Sequence, residues 1–379
     1  MIKKDTDFIN GYIEGYYGKL LNWDNRKRIL KELKKLGFNS YFYCPKEDVE
    51  HRHNWKKHYS LKWLKNFKEF CDFAKKLEIN IFAGISPGLA FNFDDYKQDF
   101  KLLNSKANTL IENGANSIVL MFDDIPPNFY ENNPKSKSEG AAHAKLVNLL
   151  QKNVNYKVLL VPRIYADELI EDNNKYLRQL KKYLNKNISI FYCGRKIVSD
   201  TNYKIELKAI NTASNKIIIW DNLYANDYCP KKIYISPWFK RTKNTNFLVN
   251  LTGMVETDIF LLNIISLGIK DNFDPRWKII IRKFKIPKHF RQIEDYFFTI
   301  NKKFVTHYFK NYNEQLKACD YLLWKWKSPL SREWYPFLFG LKHDLQILNL
   351  DLNKERLVKT QTNPLSYFII KRLTSEEAE

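Results

Sequence analysis

Eight short runs of apolar, β-branched and aromatic residues recur between residues 7 and 251, and their spacing constrains the fold more than any other feature of the chain. They lie at 7–14 (DFINGYIE), 40–45 (SYFYCP), 80–86 (NIFAGIS), 117–123 (SIVLMFD), 157–165 (KVLLVPRIY), 188–193 (ISIFYC), 216–222 (KIIIWDN) and 245–251 (TNFLVNL). Between most of them the apolar residues take helical spacing: around Arg28, Leu30, Leu33 and Leu36, then over 61–77, 97–112, 139–152, 169–184 and 202–213. Strand-length runs alternating with helical stretches imply parallel strands joined by crossover helices. Eight of them predict an α/β fold of the (β/α)8 TIM-barrel type over residues 1–270, with a doubly wound sheet as the alternative. The segment 226–244 (NDYCPKKIYISPWFKRTKN) reads as a loop where the rhythm asks for a helix.

From residue 271 the rhythm changes. The stretches 289–325 and 335–360 carry amphipathic helical patterns with no convincing strand between them, so 271–379 is expected to be an α-helical C-terminal domain. Its segment 324–336 (WKWKSPLSREWYP) interleaves basic and aromatic residues. That pattern suits stacking on sugar rings or bases, and equally suits aromatics packed inward while the lysine heads reach solvent.

Composition narrows the class. Among 379 residues, 44% are hydrophobic, which supplies a core, and no segment approaches the ~18 uninterrupted apolar residues of a membrane span. The opening MIKKDTDFINGYIEG has no apolar signal core. Five scattered cysteines with no C-x-x-C pair argue for free thiols in a reducing cytoplasm and against a zinc or disulfide framework. The net charge of +21 raises the question of nucleic acid. The lysines, however, are spread over nearly every amphipathic stretch and form no stripe or tail, which reads as compositional bias. The charge still favours acidic partners by steering. No cofactor fingerprint of the G-x-G-x-x-G or P-loop kind is present, and the sequence leaves the oligomeric state open.

The tripeptide Phe-Asp-Asp occurs twice. At 93–95 it precedes a helical stretch, where Asp94 or Asp95 is expected to cap free backbone N–H groups. At 122–124 it closes the fourth apolar run, and Pro126-Pro127 keeps a helix from starting at once. Barrel active sites sit at the C-terminal strand ends, and neighbouring side chains converge only where a strand gives way to a loop. Adjacent carboxylates there couple, favouring one protonated and one ionised partner, which suits general acid/base work. Alone, the pair would serve as well for a solvated turn or as Mg²⁺ ligands.

Other strand ends add to it. The first run ends in EGYYG (Glu14 to Gly18), with Gly15 and Gly18 able to admit a ligand close to the backbone. The second ends in CPKED, followed by VEHRHNWKKHY; the fifth ends at Tyr165; the seventh gives WDNLYANDY with Trp220, Asn222 and Asp227. His51, His53 and His58 are interleaved with Arg52, Lys56 and Lys57 and lack a local carboxylate cage, which argues against a metal site. Aromatic, amide and carboxylate groups together describe a sugar pocket better than a phosphate pocket.

EGYYG, YCPKED…HR..W, ISPGL, FDDI and WDNLYANDY, in that order at successive strand ends, resemble glycoside hydrolase family 84. That family comprises the O-GlcNAcases and the bacterial β-N-acetylglucosaminidases long called hyaluronidases. The resemblance covers about 1–255. It implies a retaining exo-β-N-acetylglucosaminidase in which the substrate's 2-acetamido oxygen is the nucleophile, an exception to the usual two-carboxylate scheme. No metal or cofactor is then needed, and the partner is a GlcNAc-containing glycoside or glycoprotein. By motif position Asp123 would accept the acetamido N–H, and Asp124 would protonate the leaving oxygen. Tyr165 would bond the acetamido group, and Lys46, the Gly15 backbone and Asp227 would hold hydroxyls. Tyr16 would join the substrate contacts, Asn222 would brace the acetamido end, Trp220 would line the pocket, and Cys193 and Ile197 would border it. The chain departs from the family in Pro162-Arg163-Ile164-Tyr165 for P-T-E-Y and in Tyr192-Cys193-Gly194 for W-T-G. It also lacks an expected asparagine after the eighth strand, at Leu251-Thr252-Gly253-Met254-Val255. Arg163 and Cys193 keep open an alternative, a catalytically weak GlcNAc-binding relative.

Overall fold

All eight apolar runs form strands, and the strands close on themselves. The computed structural model describes residues 8–199, 216–238, 245–269, 273–298 and 311–348. Strands β1 (Asn10–Glu14), β2 (Ser40–Tyr43), β3 (Asn80–Ile85), β4 (Ser117–Met121), β5 (Lys157–Val161), β6 (Ile190–Tyr192), β7 (Ile217–Asp221) and β8 (Phe247–Asn250) pair in parallel in chain order. β8 pairs back onto β1, with Ile13 opposite both Phe42 and Asn250. The closed sheet excludes the doubly wound alternative.

Strand alternation sorts the side chains. Ile13, Phe42, Val119, Met121, Leu159, Phe191, Ile218 and Leu248 pack with Cys44 and Trp220 in one buried cluster. These positions share one parity within each strand, so they fill the barrel lumen while their neighbours face the helical layer.

Helices α1 (Trp23–Leu36), α2 (Leu61–Lys76), α3 (Lys97–Glu112), α4 (Phe129–Asn132), α5 (Glu139–Asn153), α6 (Lys175–Tyr183) and α7 (Val255–Leu267) follow in chain order. Asn22, Ser60 and Ser138 cap α1, α2 and α5, each accepting a backbone N–H of the first turn. Helix α7 has no amphipathic stripe: its apolar residues are not confined to one face, and nine of its thirteen residues are buried. The stretch expected to be helical over 202–213 lies outside the described residues. The described part of 226–244, residues 226–238, is non-helical as expected.

The first Phe-Asp-Asp departs from expectation. The residue preceding α3 is Tyr96, with no side-chain cap. Asn92 Oδ1 instead gathers the N–H groups of Asp94 and Asp95, at 3.0 and 2.9 Å. The Asp94 carboxylate accepts from Lys135 N and Ser136 Oγ, both at 2.8 Å, pinning the loop that follows the second copy.

The chain divides into two compact units, Met1–Tyr228 with Tyr234–Trp277 and Cys229–Ile233 with Lys278–Glu379. Helix α8 (Pro275–Lys283) spans the division, and the second unit holds α9 (Asp295–Phe298), α10 (Tyr312–Trp324) and α11 (Pro329–Leu348). The helical pattern expected over 289–325 is interrupted: Lys288–Gln292 is a 3₁₀ turn and α9 is one turn long. The basic-aromatic stretch 324–336 divides its aromatics between inside and outside. Trp326 and Trp334 are buried edge to face at 5.6 Å, while Trp324 and Tyr335 stay exposed.

Candidate active site

Extending the lumen parity past each strand end predicts which side chains reach the rim. From Cys44 the next inward position is Lys46, from Met121 it is Asp123, from Trp220 it is Asn222, and from Leu248 it is Asn250. Beyond Ile13 come Gly15 and Tyr17. The structure brings these residues together. Lys46 Nζ pairs with Asp123 Oδ2 and lies 3.5 Å from Asp124 Oδ2. Asp124 has the wrong parity for the rim, and the backbone supplies the correction: its φ is +53°, the left-handed region, which swings its carboxylate toward Asp123. Aspartate tolerates that conformation better than most residues.

The two carboxylates differ in surroundings. Asp123 is 4% exposed, with Oδ2 on Lys46 and Oδ1 buried without a hydrogen-bond partner. The Asp124 side chain keeps 31% exposure and accepts Tyr165 OH on Oδ1 at 2.7 Å and Tyr17 OH on Oδ2 at 3.0 Å. Arg52 donates to Tyr17 OH at 2.8 Å and to the Asp124 carbonyl at 2.6 Å, holding phenol and turn together.

Burial pushes the Asp123 carboxyl up, more than the Lys46 ammonium pulls it down. Burial also raises Asp124, but Lys46 and the two phenols outweigh it and hold the carboxyl below its ordinary value. Tyr165 and Tyr17 are raised by burial, Tyr17 to about 12, so both remain phenol donors. Lys46 is raised despite burial by its two carboxylate neighbours and stays charged.

The far side of the site is a connected amide network. Asn222 Oδ1 accepts Trp220 Nε1 at 2.8 Å and Asn250 Nδ2 at 3.0 Å, while its Nδ2 donates to the Ile197 carbonyl at 3.0 Å and the Cys193 sulfur at 3.5 Å. Asn250 Oδ1 in turn accepts Gly15 N at 3.2 Å. Cys193 N donates to the Tyr165 carbonyl at 2.7 Å, fixing the residue that carries the phenol. A Cβ on Gly15 would come within 2.7 Å of the Trp220 ring, so glycine lets that ring close the wall. Asp227 accepts Tyr17 N at 3.0 Å, which makes it a brace for the tyrosine segment.

Two sequence expectations change here. Tyr16 is 1% exposed and turns to the helical layer, its hydroxyl 3.1 Å from Tyr12 OH, and Tyr12 bonds Asp258 at 2.8 Å. Its ring lies against Gly253, whose φ of +70° and missing side chain make the space. Strand parity explains the shift: Glu14 and Tyr16 face outward, Glu14 to Arg26 and Tyr41, while Tyr17 faces the pair. The asparagine thought lacking after the eighth strand stands at its last position, Asn250. Tyr17, Arg52 and Asn250 were therefore missed by motif reading, although parity alone points to Tyr17 and Asn250. The Arg163 departure also resolves. Its guanidinium donates to Glu139 at 2.7 Å and lies over Tyr176, so the cation is neutralised on α5. His51 Nδ1 lies 2.9 Å from the Gly84 carbonyl while its buried Nε2 has no hydrogen-bond partner, and burial lowers its pKa to about 3.

A closed parallel barrel with a carboxylate pair, a lysine and two phenols at its C-terminal rim has the build of a glycosidase site. A sequence model described as beta-N-acetylglucosaminidase matches residues 10–257, and the chain belongs to that family, glycoside hydrolase family 84. It is 30% identical over 260 residues to the mouse protein O-GlcNAcase and 29% identical to the rat one, in each case over 65% of this chain. The chain spans 28% of the length of those relatives. Among solved structures, CpGH84B superposes with a TM-score of 0.74 at 20% identity, over 92% of this chain and 70% of the other. A mutant of the Thermobaculum terrenum O-GlcNAc hydrolase gives 0.74 at 22% identity, over 90% and 83%. At these identities the two structures speak for the fold.

Proposed function

We propose that the chain is a retaining exo-β-N-acetylglucosaminidase whose nucleophile is the substrate's own 2-acetamido oxygen. The observation that carries this reading is the buried, unpartnered Oδ1 of Asp123 beside an Oδ2 neutralised by Lys46. A buried acceptor without a donor costs free energy, and an amide N–H from the substrate would satisfy it. A bond there orients the acetamide and stabilises the positive charge that develops as its oxygen attacks C1.

In the first step the acetamide oxygen bonds to C1, the bond from C1 to the leaving oxygen breaks, and Asp124 gives that oxygen its proton. In the second, Asp124 takes a proton from water, the water oxygen bonds to C1, and the oxazoline C–O bond opens. Two inversions return the β-anomer. The free site holds its proton preference the other way round, with Asp124 lowered and Asp123 raised. Substrate reverses that order: its N–H favours the Asp123 anion, and a leaving oxygen against Asp124 displaces the phenols that stabilise its carboxylate. Tyr165, Asn222 and Trp220 would close around the acyl methyl with Cys193 and Ile197. The natural aglycone is a GlcNAc-bearing protein or sugar. The weak-relative alternative rests on Arg163 and Cys193; Arg163 is spent on Glu139, while Cys193 keeps its place beside Asn222.

Hydrolysis of an aryl β-N-acetylglucosaminide, followed by proton NMR, tests the reading. It expects the β-anomer first and no turnover of the glucosaminide lacking the acyl group. Sustained hydrolysis of the unacylated sugar would overturn it.

A further inference from the structure

A groove of about 740 Å³ lies on the outer wall of the barrel, and neither member of the carboxylate pair lines it. Ser138, the cap of α5, and Ala142, Lys145 and Leu149 on one face of that helix contribute, with Lys175, Gln179 and Tyr183 from one face of α6, so the groove follows both helices lengthwise. From 138 to 149 a helix rises roughly 17 Å. That matches about five residues of extended chain.

Its chemistry has two parts. Ala142 and Leu149 offer small and aliphatic surface over the buried Ala141 and Leu146, and Phe93 and Tyr96 add aromatic surface at one end. Around them stand Lys135, Lys137, Lys145 and Lys175, all exposed, none in an ion pair among the described residues. No carboxylate lines the groove. Of the carboxylates next in sequence to the lining, Asp94 is occupied by Lys135 N and Ser136 Oγ and Glu139 by Arg163, while Asp95 is exposed beside Tyr96 without itself lining the groove. Lysines elsewhere on the surface do find partners, as Lys34 with Glu78 and Lys56 with Asp99. Four unneutralised cations around an aliphatic floor call for a ligand that is anionic on its flanks and apolar underneath. Successive residues of an extended peptide point to opposite sides, so alternating acidic and apolar side chains satisfy both demands. A phosphate ribbon would leave the aliphatic floor unused, and no arginine lines the groove to grip it.

We propose that this groove docks an extended acidic polypeptide segment in which Asp or Glu alternates with apolar residues. The proposal goes beyond the glycosidase reading and does not rest on it, because docking is measured without turnover. The ligand would lie beside the loop 133–138 that continues from the Asp123–Asp124 turn, and the net charge of +21 would speed its arrival.

The test uses the full chain and a fluorescein-labelled octapeptide of alternating Glu and Leu, read by fluorescence anisotropy. Saturable, salt-sensitive binding is expected, weakened at least tenfold in the triple variant K137E/K145E/K175E. It should be weakened comparably in A142W, which fills the floor without changing charge. The melting temperature serves as the control for folding. If the triple reversal does not fold, K137Q/K145Q/K175Q replaces it. Binding that A142W leaves unchanged would overturn the proposal, as would a single-stranded DNA 20-mer that binds more tightly and ignores A142W, since either result reports a charged surface and no groove.

Discussion

Phe93-Asp94-Asp95 and Phe122-Asp123-Asp124 are the same three residues in two settings. The second copy follows β4 directly, so parity carries Asp123 into the barrel mouth and a left-handed turn brings Asp124 beside it. The first copy sits in the loop before α3, where Asp94 clasps Lys135 N and Ser136 Oγ and Asp95 faces solvent. The copies also meet. The buried His143 ring stacks on Phe122 at 3.8 Å and lies 5.3 Å from Phe93. The tripeptide itself is neutral as to use. A lysine, two phenols and a strand end make one copy the candidate for chemistry, and a loop to hold makes the other mechanical.

The sharpest way to break this contrast is to disable the chemical copy. Asp124→Asn should lower kcat/KM on substrates with poor leaving groups by roughly 10²–10⁴, the usual range for a lost general acid. The loss should be far smaller with an acidic phenol as leaving group, which needs little protonation. Equal losses on both substrates would show that Asp124 is not the acid.

His143 joins the copies, so it should make both sensitive to acid. Burial, helped by the nearby Arg163 charge, holds its pKa well below the ordinary value, and burial lowers His51 to about 3. Below about pH 6.5 the unfolded chain binds protons that the folded chain refuses, so stability falls as pH falls. Each histidine contributes up to about 1.4 kcal/mol per pH unit within that window. Urea titrations between pH 7 and 4 should show this slope, reduced in His143→Phe. An unchanged slope in the variant would remove His143 as the acid-sensitive link.

Much of this was legible in advance. The eight runs identified the barrel because a lumen and a helical layer leave period-2 strands and helical crossovers in the sequence. The rim was legible wherever parity continues past a strand, as at Lys46, Asp123 and Asn222. Tyr16 was mistaken because EGYYG was taken as a unit, when its alternate residues face opposite layers. Asn250 was overlooked because it was sought beyond β8 and stands in it. Arg52 stands in the HR..W motif, but its contacts could not be read locally, since its partners Tyr17 and Asp124 are 35 and 72 residues away. The Asp94 clasp was hidden for the same reason, and helix-capping preference is only a local rule.

A smaller effect sharpens the proton order within the chemical copy. Tyr17 and Tyr165 each stabilise the Asp124 carboxylate, so removing either phenol should raise the Asp124 pKa in the free protein. On the proposed mechanism Asp124 must be protonated to act, so its pKa would set the basic limb of kcat/KM. That limb should move to higher pH in Tyr17→Phe. In the unaltered protein the basic limb of kcat should lie at higher pH than that of kcat/KM, because the proposed mechanism has bound substrate raise Asp124. Coincident limbs would mean that substrate does not reverse the proton order.

The smallest expected effect separates the two aspartates of the mechanical copy. Asp94 accepts two hydrogen bonds from a loop that no other part of the first copy holds by its side chain, so Asp94→Ala should cost about 1 kcal/mol. Asp95 contributes its backbone N–H to Asn92, and its carboxylate has no hydrogen-bond partner among the described residues, so Asp95→Ala should be near neutral. Turnover per folded molecule should stay within a few-fold in both, because the loop begins beyond the Asp123–Asp124 turn and Arg52 holds that turn independently. Paired thermal melts and active-site-normalised rates measure this directly. Equal melting shifts for the two variants would show that the clasp does not stabilise the fold. A collapse of turnover in well-folded Asp94→Ala would show that loop and turn move as one body, and that the two copies are not separable.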